Sequence, residues 1–298
     1  MNFLERKYYQ LLVKYLKNKP NADEAYIKAN YYLKNNRRLN LENPVDLSEK
    51  IQWLKLYQYD ESYKKYIDKY EVREHIKETI GEEYLNELLG VYEDVEEIDF
   101  DALPDKFVLK GTHGSGYNII VEDKSKLNWP EAKAQLRKFL SQNYYDKYKE
   151  VIYRGIKPRI IAEKFLDQLN DDAILDYKFL CFHGEPKFIH VKALEDGRRK
   201  EVDYDINWNK LEIPKEQPHY LKRSLEKPDN FEDMIEIAKI LSKDFIFVRV
   251  DLYSIEGKIY FGELTFLHKG GMKRVVSEPH NKIMGDLIKL PAKRDINS

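Results

Sequence analysis

The sequence predicts an α+β chain, with a mostly helical N-terminal region over residues 1–100 followed by two units, 101–166 and 167–298, of antiparallel hairpins and helices. Three observations predict it. Apolar residues recur at helical spacing early on, from Leu4, Tyr8, Leu11, Leu12 and Tyr15 to Ile51, Trp53, Leu54 and Leu56. Later, strand-like runs come in pairs around turn residues, 106–110 with 117–121 and 175–182 with 187–194. The third is the run 246–266, IFVRVDLYSIEGKIYFGELTF, two alternating strands around Ser254–Gly257.

In chain order, residues 2–17 form an amphipathic helix with lysines opposite its apolar face. It is expected to pack on the protein's own core, with a membrane surface as the alternative for a basic amphipathic helix. Residues 23–34 make a tyrosine-rich helix, and the turn from Asp46 to Ser48 caps the next one. Asp68 and Lys69 stand at the entrance of a helix over 71–80 that stops at Gly81, and 88–92 reads as a short strand. Pro104 opens the next unit. Between its strands lie Gly111, Thr112, His113, Gly114, Ser115 and Gly116. Such glycines let backbone N–H groups approach a phosphate, with Lys110 adding a charge, and they equally make a plain flexible turn. The spacing is not that of a Walker loop, and no Gly-x-Ser-x-Gly nucleophile elbow occurs.

A helix over 130–140 leads to the apolar strand 160–166, whose Glu163 and Lys164 precede a polar segment, 167–172. A strand ending there can offer its backbone to an adenine base, or simply run out into solvent. The next hairpin turns through His183, Gly184, Glu185 and Pro186 and carries Asp176 and Lys178 on one face. Asp203 and Asp205 form an Asp-x-Asp pair, a spacing that holds metal in glycosyltransferases and also arises by chance. A helix over 231–242, the 246–266 hairpin, a Gly270–Gly271 loop and a helix over 280–288 complete the chain.

In the 246–266 hairpin, a three-residue loop of Ile255, Glu256 and Gly257 would pair Ser254 with Lys258. Val248, Val250, Leu252, Tyr260, Leu264 and Phe266 then share one side, and Arg249, Asp251, Glu263 and Thr265 the other. An even-numbered loop would separate Asp251 from Glu263. Two carboxylates and an arginine on one face suit Mg²⁺ and phosphate, since Mg²⁺ takes one or two carboxylates and Arg grips phosphate bidentately. An ordinary cross-strand ion pair is the other reading.

Composition narrows the function classes. Lys plus Arg number 51 against 52 Asp plus Glu, so no global field attracts nucleic acid. The single cysteine, Cys181, precludes an internal disulfide and points to a reducing, cytoplasmic setting. No apolar run approaches the ~18 residues of a membrane span, and nothing reads as a signal peptide. No Ser-His-Asp or Cys-His arrangement stands out.

Asp68-Lys69, Lys110 with its glycine loop, the strand end Glu163-Lys164-Phe165-Leu166, and Arg249, Asp251 and Glu263 in one hairpin resemble, in this order, the ATP-grasp fold. The runs FVLKGTHGSGYNIIV, KPRIIAEKFL, DYKFLCFHGEPKFIHV and VRVDLYSIEGKIYFGELTF are similar to the TupA-like ATP-grasp family of surface-polysaccharide and teichuronopeptide biosynthesis, over roughly Leu47 to Leu290. The resemblance implies two α+β subdomains clasping ATP, 101–166 as lid and 167–298 carrying a metal-binding hairpin. Lys69 and Lys110 would meet the phosphates beneath a lid loop with Gly111, Gly114, Ser115 and Gly116. Glu163, Lys164 and Leu166 would line the adenine, Lys164 through its carbonyl and Leu166 through its amide. Asp176 would meet the ribose, and Lys178 the nucleotide or the substrate. Arg249 would stabilise the transferring phosphoryl group while Asp251 and Glu263 hold Mg²⁺. Thr265 stands where the superfamily has a metal-binding asparagine, and 267–271 lacks the proline-containing glycine loop that commonly meets substrate.

The function implied is an ATP-dependent carboxylate–amine ligase acting through an acyl phosphate, with ATP and Mg²⁺ as cofactors. Its acceptor would be a small molecule or polysaccharide precursor, such as a sugar acid joined to an amino acid, and peripheral association with polysaccharide-synthesis machinery would be compatible with it. Two rivals remain: a glycosyltransferase using Asp203 and Asp205 with a nucleotide sugar, and a non-catalytic nucleotide-binding protein, suggested by Thr265 and the altered 267–271 segment.

Overall fold

The computed structural model describes residues 2–166, 176–195, 197–212, 220–272 and 280–294. The polar segment 167–172 and part of the loop after Gly271 lie outside them. Helix α1 (Phe3–Leu16) starts where the Asn2 side chain accepts a hydrogen bond from the Glu5 amide. It leans on α2 (Asp23–Asn35) through the Tyr9 and Tyr32 rings, 4.4 Å apart, and the Tyr32 hydroxyl donates to Glu5 Oε1 at 2.6 Å. The expected packing of the apolar stripe does not occur: Leu4, Tyr8, Leu11 and Tyr15 are 76%, 60%, 61% and 63% exposed. The helix spends the neighbouring face instead, with Val13 and Leu16 against the core, so the stripe points away from it.

Helix α3 (Leu47–Tyr57) is capped by Asp46, which accepts from the Glu49 amide and is held in turn by Arg37. Polar Ser48, Gln52 and Lys55 are buried along with apolar Ile51 and Leu54, which marks α3 as an internal strut. Short helices α4 (Lys64–Ile67) and α5 (Val72–Thr79) follow, and Gly81, at φ +116°, breaks the chain out of α5 as expected.

Strands β1 (Leu88–Tyr92), β2 (Phe107–Gly111), β3 (Asn118–Val121) and, after helices α6 (Trp129–Leu140) and α7 (Tyr144–Tyr148), β4 (Ile160–Lys164) form an antiparallel sheet of order β1-β4-β2-β3. Alternation in β2 buries Phe107 and Leu109 among Val121 and the Leu136 and Phe139 of α6. A second antiparallel sheet contains β5 (Asp176–Phe182), β6 (Glu185–Glu195), β7 (Arg198–Asp205) and, beyond helix α8 (Phe231–Ser242), β8 (Phe247–Ile255) and β9 (Lys258–Thr265). Its order is β7-β6-β5-β8-β9, and α8 lays Phe231, Met234, Ala238 and Leu241 onto its core. Helix α9 (His280–Asp286) ends the regular structure. Strand β7, RRKEVDYD, is too charged to show a strand signal, and as an edge strand it buries only Val202, Asp203 and Tyr204.

The β8–β9 hairpin corrects the expected register. Its turn has two residues, Glu256 and Gly257, both left-handed at φ 51° and 77°, so Ile255 pairs with Lys258. An even turn alone would set Asp251 and Glu263 on opposite faces, but a bulge intervenes: Leu252 pairs with Phe261 and Asp251 with Glu263, leaving Gly262 as the extra residue. A Cβ at Gly262 would stand 2.9 Å from the Tyr253 ring and 3.0 Å from the Asp251 carbonyl, so the bulge requires glycine. The two-residue turn moves Tyr260 off the core side to pair with Tyr253, and Ile259 and Phe261 are the buried residues in its place. Val248, Val250, Leu252, Leu264 and Phe266 are buried as expected.

Candidate active site

Asp251 and Glu263 face each other across the hairpin with Arg249 beside them. Arg249 donates through Nε to Asp251 Oδ1 at 2.6 Å and through Nη2 to Asp251 Oδ2 and Glu263 Oε1, both at 2.7 Å. Lys178 bonds the same Asp251 Oδ2 and lies 2.6 Å from Asp176 Oδ2, because β5 pairs with β8 in the register that sets Lys178 opposite Asp251. Burial pushes the Asp251 carboxyl above its ordinary value, against the pull of Arg249 and Lys178, whose nitrogens bond both of its oxygens. At Glu263, burial also raises the pKa, but Arg249, Lys69 and Lys178 outweigh it and hold it at about 2. The Glu263 side chain is 39% exposed and so presents its charge to a cavity.

That cavity, of about 380 Å³, has the first sheet as its other wall, bringing Lys110, Ser115, Gly116 and Glu163 to Asp251 and Glu263, with Lys69 added from the entrance of α5. Leu166, Asp176 and Lys178 line it too. Lys110 Nζ donates to Glu163 Oε2 at 2.5 Å, and Arg73 lies 3.2 Å from Glu163 Oε1, so this acid is shared by two cations. Lys69 is half-buried, and its Nζ donates to the Gly114 carbonyl at 2.5 Å, tying the entrance of α5 to the glycine loop. Gly111 to Gly114 are buried, whereas Ser115 and Gly116 are exposed. Gly111 closes its strand against the Tyr117 carbonyl rather than lining the cavity. The Lys164 side chain is 61% exposed beside Glu87, and its carbonyl accepts from Asn86 Nδ2 at 2.8 Å. Asp176 Oδ1 is buried with no hydrogen-bond partner among the described residues.

The residues present fit a magnesium ion in a particular way. Among the described residues, no group of three or more His, Cys, Asp or Glu side chains could hold a metal, so no all-protein cage is built. Two carboxylates facing one another beside a cavity are instead the donor set of an ion that keeps phosphate and water as its other ligands. Thr265 sits next to them with its hydroxyl donating to Glu263 Oε1 at 3.0 Å, so it orients a carboxylate.

A second cavity of about 380 Å³ adjoins the first and shares Lys69, Ser115, Lys178 and Glu263 with it. Arg249, Thr265 and the 267–271 segment line it, as do His190, Lys192, Glu201 and His268, which sequence reading did not single out. His190 and Lys192 sit on β6 opposite Asp203 and Glu201 of β7, a strand that its own sequence concealed. The 267–271 segment makes a tight turn with Lys269, Gly270 and Gly271 all at positive φ. A larger cleft of about 1020 Å³, lined by Lys19, Asp23, Lys149 and Arg154, gathers none of the expected residues.

The Asp-x-Asp pair is not a metal site. Asp203 is buried and bonded to His190 Nδ1 at 2.8 Å; Asp205 accepts from the amides of Asn207 and Asn209 and caps a turn. The glycosyltransferase reading loses the residues it depended on.

A basic, glycine-looped sheet facing a carboxylate-bearing hairpin across a cavity, in an α+β chain, is the ATP-grasp fold. The family model described as TupA-like ATPgrasp matches residues 49–289. The chain belongs to the TupA-like ATP-grasp family. No curated protein sequence matches the chain. Similar solved structures include D-alanine–D-alanine ligase from Bacillus anthracis complexed with ATP, at 16% identity and TM-score 0.42, covering 74% of this chain and 63% of that one. The D-alanine–D-alanine ligase from Helicobacter pylori is 13% identical, with TM-score 0.44 and coverage of 83% and 67%. N5-carboxyaminoimidazole synthase from Aspergillus clavatus, in complex with ADP and 5-aminoimidazole ribonucleotide, is 14% identical, with TM-score 0.41 and coverage of 77% and 53%. This chain thus spans less than two thirds of the first of these. Among the described residues, no helix is long and apolar enough to cross a membrane.

Proposed function

We propose that the protein is an ADP-forming carboxylate–amine ligase that activates an acid as an acyl phosphate. The observation that carries this reading is the facing of Asp251 and Glu263, paired across one hairpin, with Lys69, Lys110 and the glycine loop on the opposite wall of one cavity. In this reading residues 101–166 are the lid over the nucleotide, and Lys69 and Lys110 neutralise its phosphates. Asp176 Oδ1, an acceptor without a donor, suits a ribose hydroxyl. Magnesium, held by Asp251 and Glu263, would neutralise phosphate charge when bound. Arg249, fixed by three hydrogen bonds to carboxylates, keeps a guanidinium aimed where negative charge builds as the phosphoryl group moves.

The reading needs no protein nucleophile, and among the described residues the cysteine is not placed to be one. Cys181 is buried, and burial pushes its thiol up to about 12, far from a reactive thiolate. The carboxylate oxygen of the acid therefore attacks the terminal phosphorus directly: its bond to phosphorus forms as the bond to ADP breaks. The amine nitrogen then attacks the acyl carbon, inorganic phosphate leaves and the nitrogen gives up a proton. Placing these partners accounts for the rate without a covalent protein intermediate. The second cavity, adjoining Glu263, is where the acid and amine would sit. In this reading a sugar acid is joined to an amino acid or amine, in cytoplasmic steps of surface-polysaccharide synthesis.

The test supplies ATP, Mg²⁺ and a panel of sugar acids and amino acids, with hydroxylamine replacing the amine. ADP with a hydroxamate of one acid is the expected outcome. AMP with pyrophosphate would replace phosphorylation by adenylation, and failure to bind ATP would end the ligase reading altogether. ATP binding without ADP release from any acid would favour the non-catalytic nucleotide-binding protein.

A further inference from the structure

The second cavity holds two imidazoles that the proposed phosphoryl transfer does not use. His268 is 1% exposed and His190 2% exposed, their rings 6.2 Å apart. The Nε2 atom of each is buried without a hydrogen-bond partner among the described residues. A buried polar atom left so is costly, which marks the pair as waiting for something.

What it awaits follows from the other ring nitrogens. Arg249 Nη1 lies 2.8 Å from His268 Nδ1, and a guanidinium has only hydrogens to offer, so Nδ1 is the acceptor. Burial and Arg249 together push the His268 pKa well down and keep the ring neutral. Its one proton is therefore on Nε2, a donor. His190 Nδ1 donates to Asp203 Oδ1 at 2.8 Å. Burial opposes charge on this ring, but Asp203 and Glu201 outweigh it and favour the imidazolium, whose Nε2 also carries hydrogen. Glu201 Oε2 lies 3.6 Å from that Nε2, an ion-pair distance beyond a hydrogen bond.

Two buried N–H donors without a hydrogen-bond partner among the described residues select a ligand with acceptor oxygens. The surrounding charge agrees: among the described residues lining this cavity, seven are lysine or arginine and three are glutamate, which favours an anion over an ammonium group. Burial acts on both signs here: it pushes Glu150 up to about 7 and lowers the pKa values of Lys55, Lys69 and Lys192.

We propose that His190 and His268 form an oxyanion-binding pair that holds the carboxylate of the acid substrate in the second cavity, next to Arg249. This assignment rests on the ligase reading for the identity of the ligand, but the donor pair is a feature of the chain itself. Asp203 is then a positioning residue, which fixes the His190 tautomer and turns Nε2 toward the acid.

The test is NMR of the full chain carrying ring-¹⁵N histidine, titrated with acetate, L-glutamate and D-glucuronate, with inorganic phosphate in a parallel arm. A carboxylate is expected to shift the His190 and His268 ring signals. His190→Gln and His268→Gln keep a partner for Asp203 and for Arg249, and should weaken carboxylate binding about tenfold or more while ATP affinity stays within about twofold. Folded variants that bind carboxylate undiminished would overturn the assignment. Ring signals unmoved by all three acids would overturn it without recourse to any variant. A response to phosphate alone would give the donors to the nucleotide's terminal phosphate and equally overturn it. A carboxylate response in a protein that does not bind ATP would sink the ligase reading and leave the oxyanion pair standing.

Discussion

Strand β7 carries Asp203 and Asp205, and strands β8 and β9 of the same sheet carry Asp251 and Glu263. Both sets looked like metal ligands in the sequence, and the difference lies in what each set faces. Asp203 is committed to a histidine and Asp205 to the amides of a turn. Asp251 and Glu263 are bonded to Arg249, and Glu263 keeps its face toward a cavity that also collects Lys69 and Lys110. Acidic spacing along a strand is cheap; convergence of acids and bases from two sheets on one space is not.

The contrast is broken most sharply at Glu263. Glu263→Gln should lower ATP-dependent ADP release about 10³-fold, the scale of removing an electrostatic group aimed at developing charge, and should also lower the melting temperature, since Arg249, Lys69 and Lys178 hold this carboxyl at about 2. Asp251→Asn should lose activity similarly and also about 3 kcal/mol in urea unfolding, because buried Arg249 and Lys178 lose the carboxylate they share and keep only Glu263 and Asp176. Near-normal turnover in both variants would remove the chemistry from this hairpin.

Gly262→Ala sharpens the comparison through the backbone. The added Cβ meets the Tyr253 ring and the Asp251 carbonyl, so about 2 kcal/mol of stability should go, together with activity, as the bulge is strained. Wild-type unfolding and turnover in this variant would mean the pairing of Asp251 with Glu263 is not held by the bulge.

Glu201 supplies the pH test. The His190 imidazolium 3.6 Å away, with Lys269 and Lys192, outweighs burial and holds its carboxyl at about 2 against an ordinary 4.5. A depressed acid binds fewer protons folded than unfolded, so its contribution is present above the ordinary value and is lost as pH falls toward 2. With the side chain partly exposed, about 2 kcal/mol should disappear over that window, and Glu201→Gln should flatten the acid limb of a stability–pH curve. An unchanged limb would refute the coupling.

Asp205→Ala should have the smallest effect. About 1 kcal/mol for the lost turn cap is expected in denaturant melts, with ADP release unchanged. A loss of turnover here would reopen β7 as a reacting strand.

The sequence showed more of the site than of the scaffold around it. Helices such as Phe231–Ser242 and the paired strands were legible because periodicity survives in one dimension. The shared face of Asp251 and Glu263 was also legible, though through a three-residue loop that does not form. A bulge is invisible to alternation, since one extra glycine looks like any other strand residue. Strand β7 was hidden because an edge strand needs few apolar positions, and with it went the placement of His190 beside Asp203. Helix α1 misled in the opposite direction: its stripe is real, but periodicity says which residues share a face and not whether anything covers it. Lys69 could not be told from a surface lysine, because its bond to the Gly114 carbonyl spans two distant parts of the chain.

The bulge at Gly262 also decides how this hairpin tolerates insertions and deletions. Turn and bulge are two places where the count of residues between Asp251 and Glu263 is kept, and each compensates the other. Adding a single residue to the Glu256–Gly257 turn would swing Glu263 toward the core unless the bulge were given up at the same time. Length changes here are therefore tolerated in matched pairs, and an odd change rotates a carboxylate out of the cavity without altering any side chain.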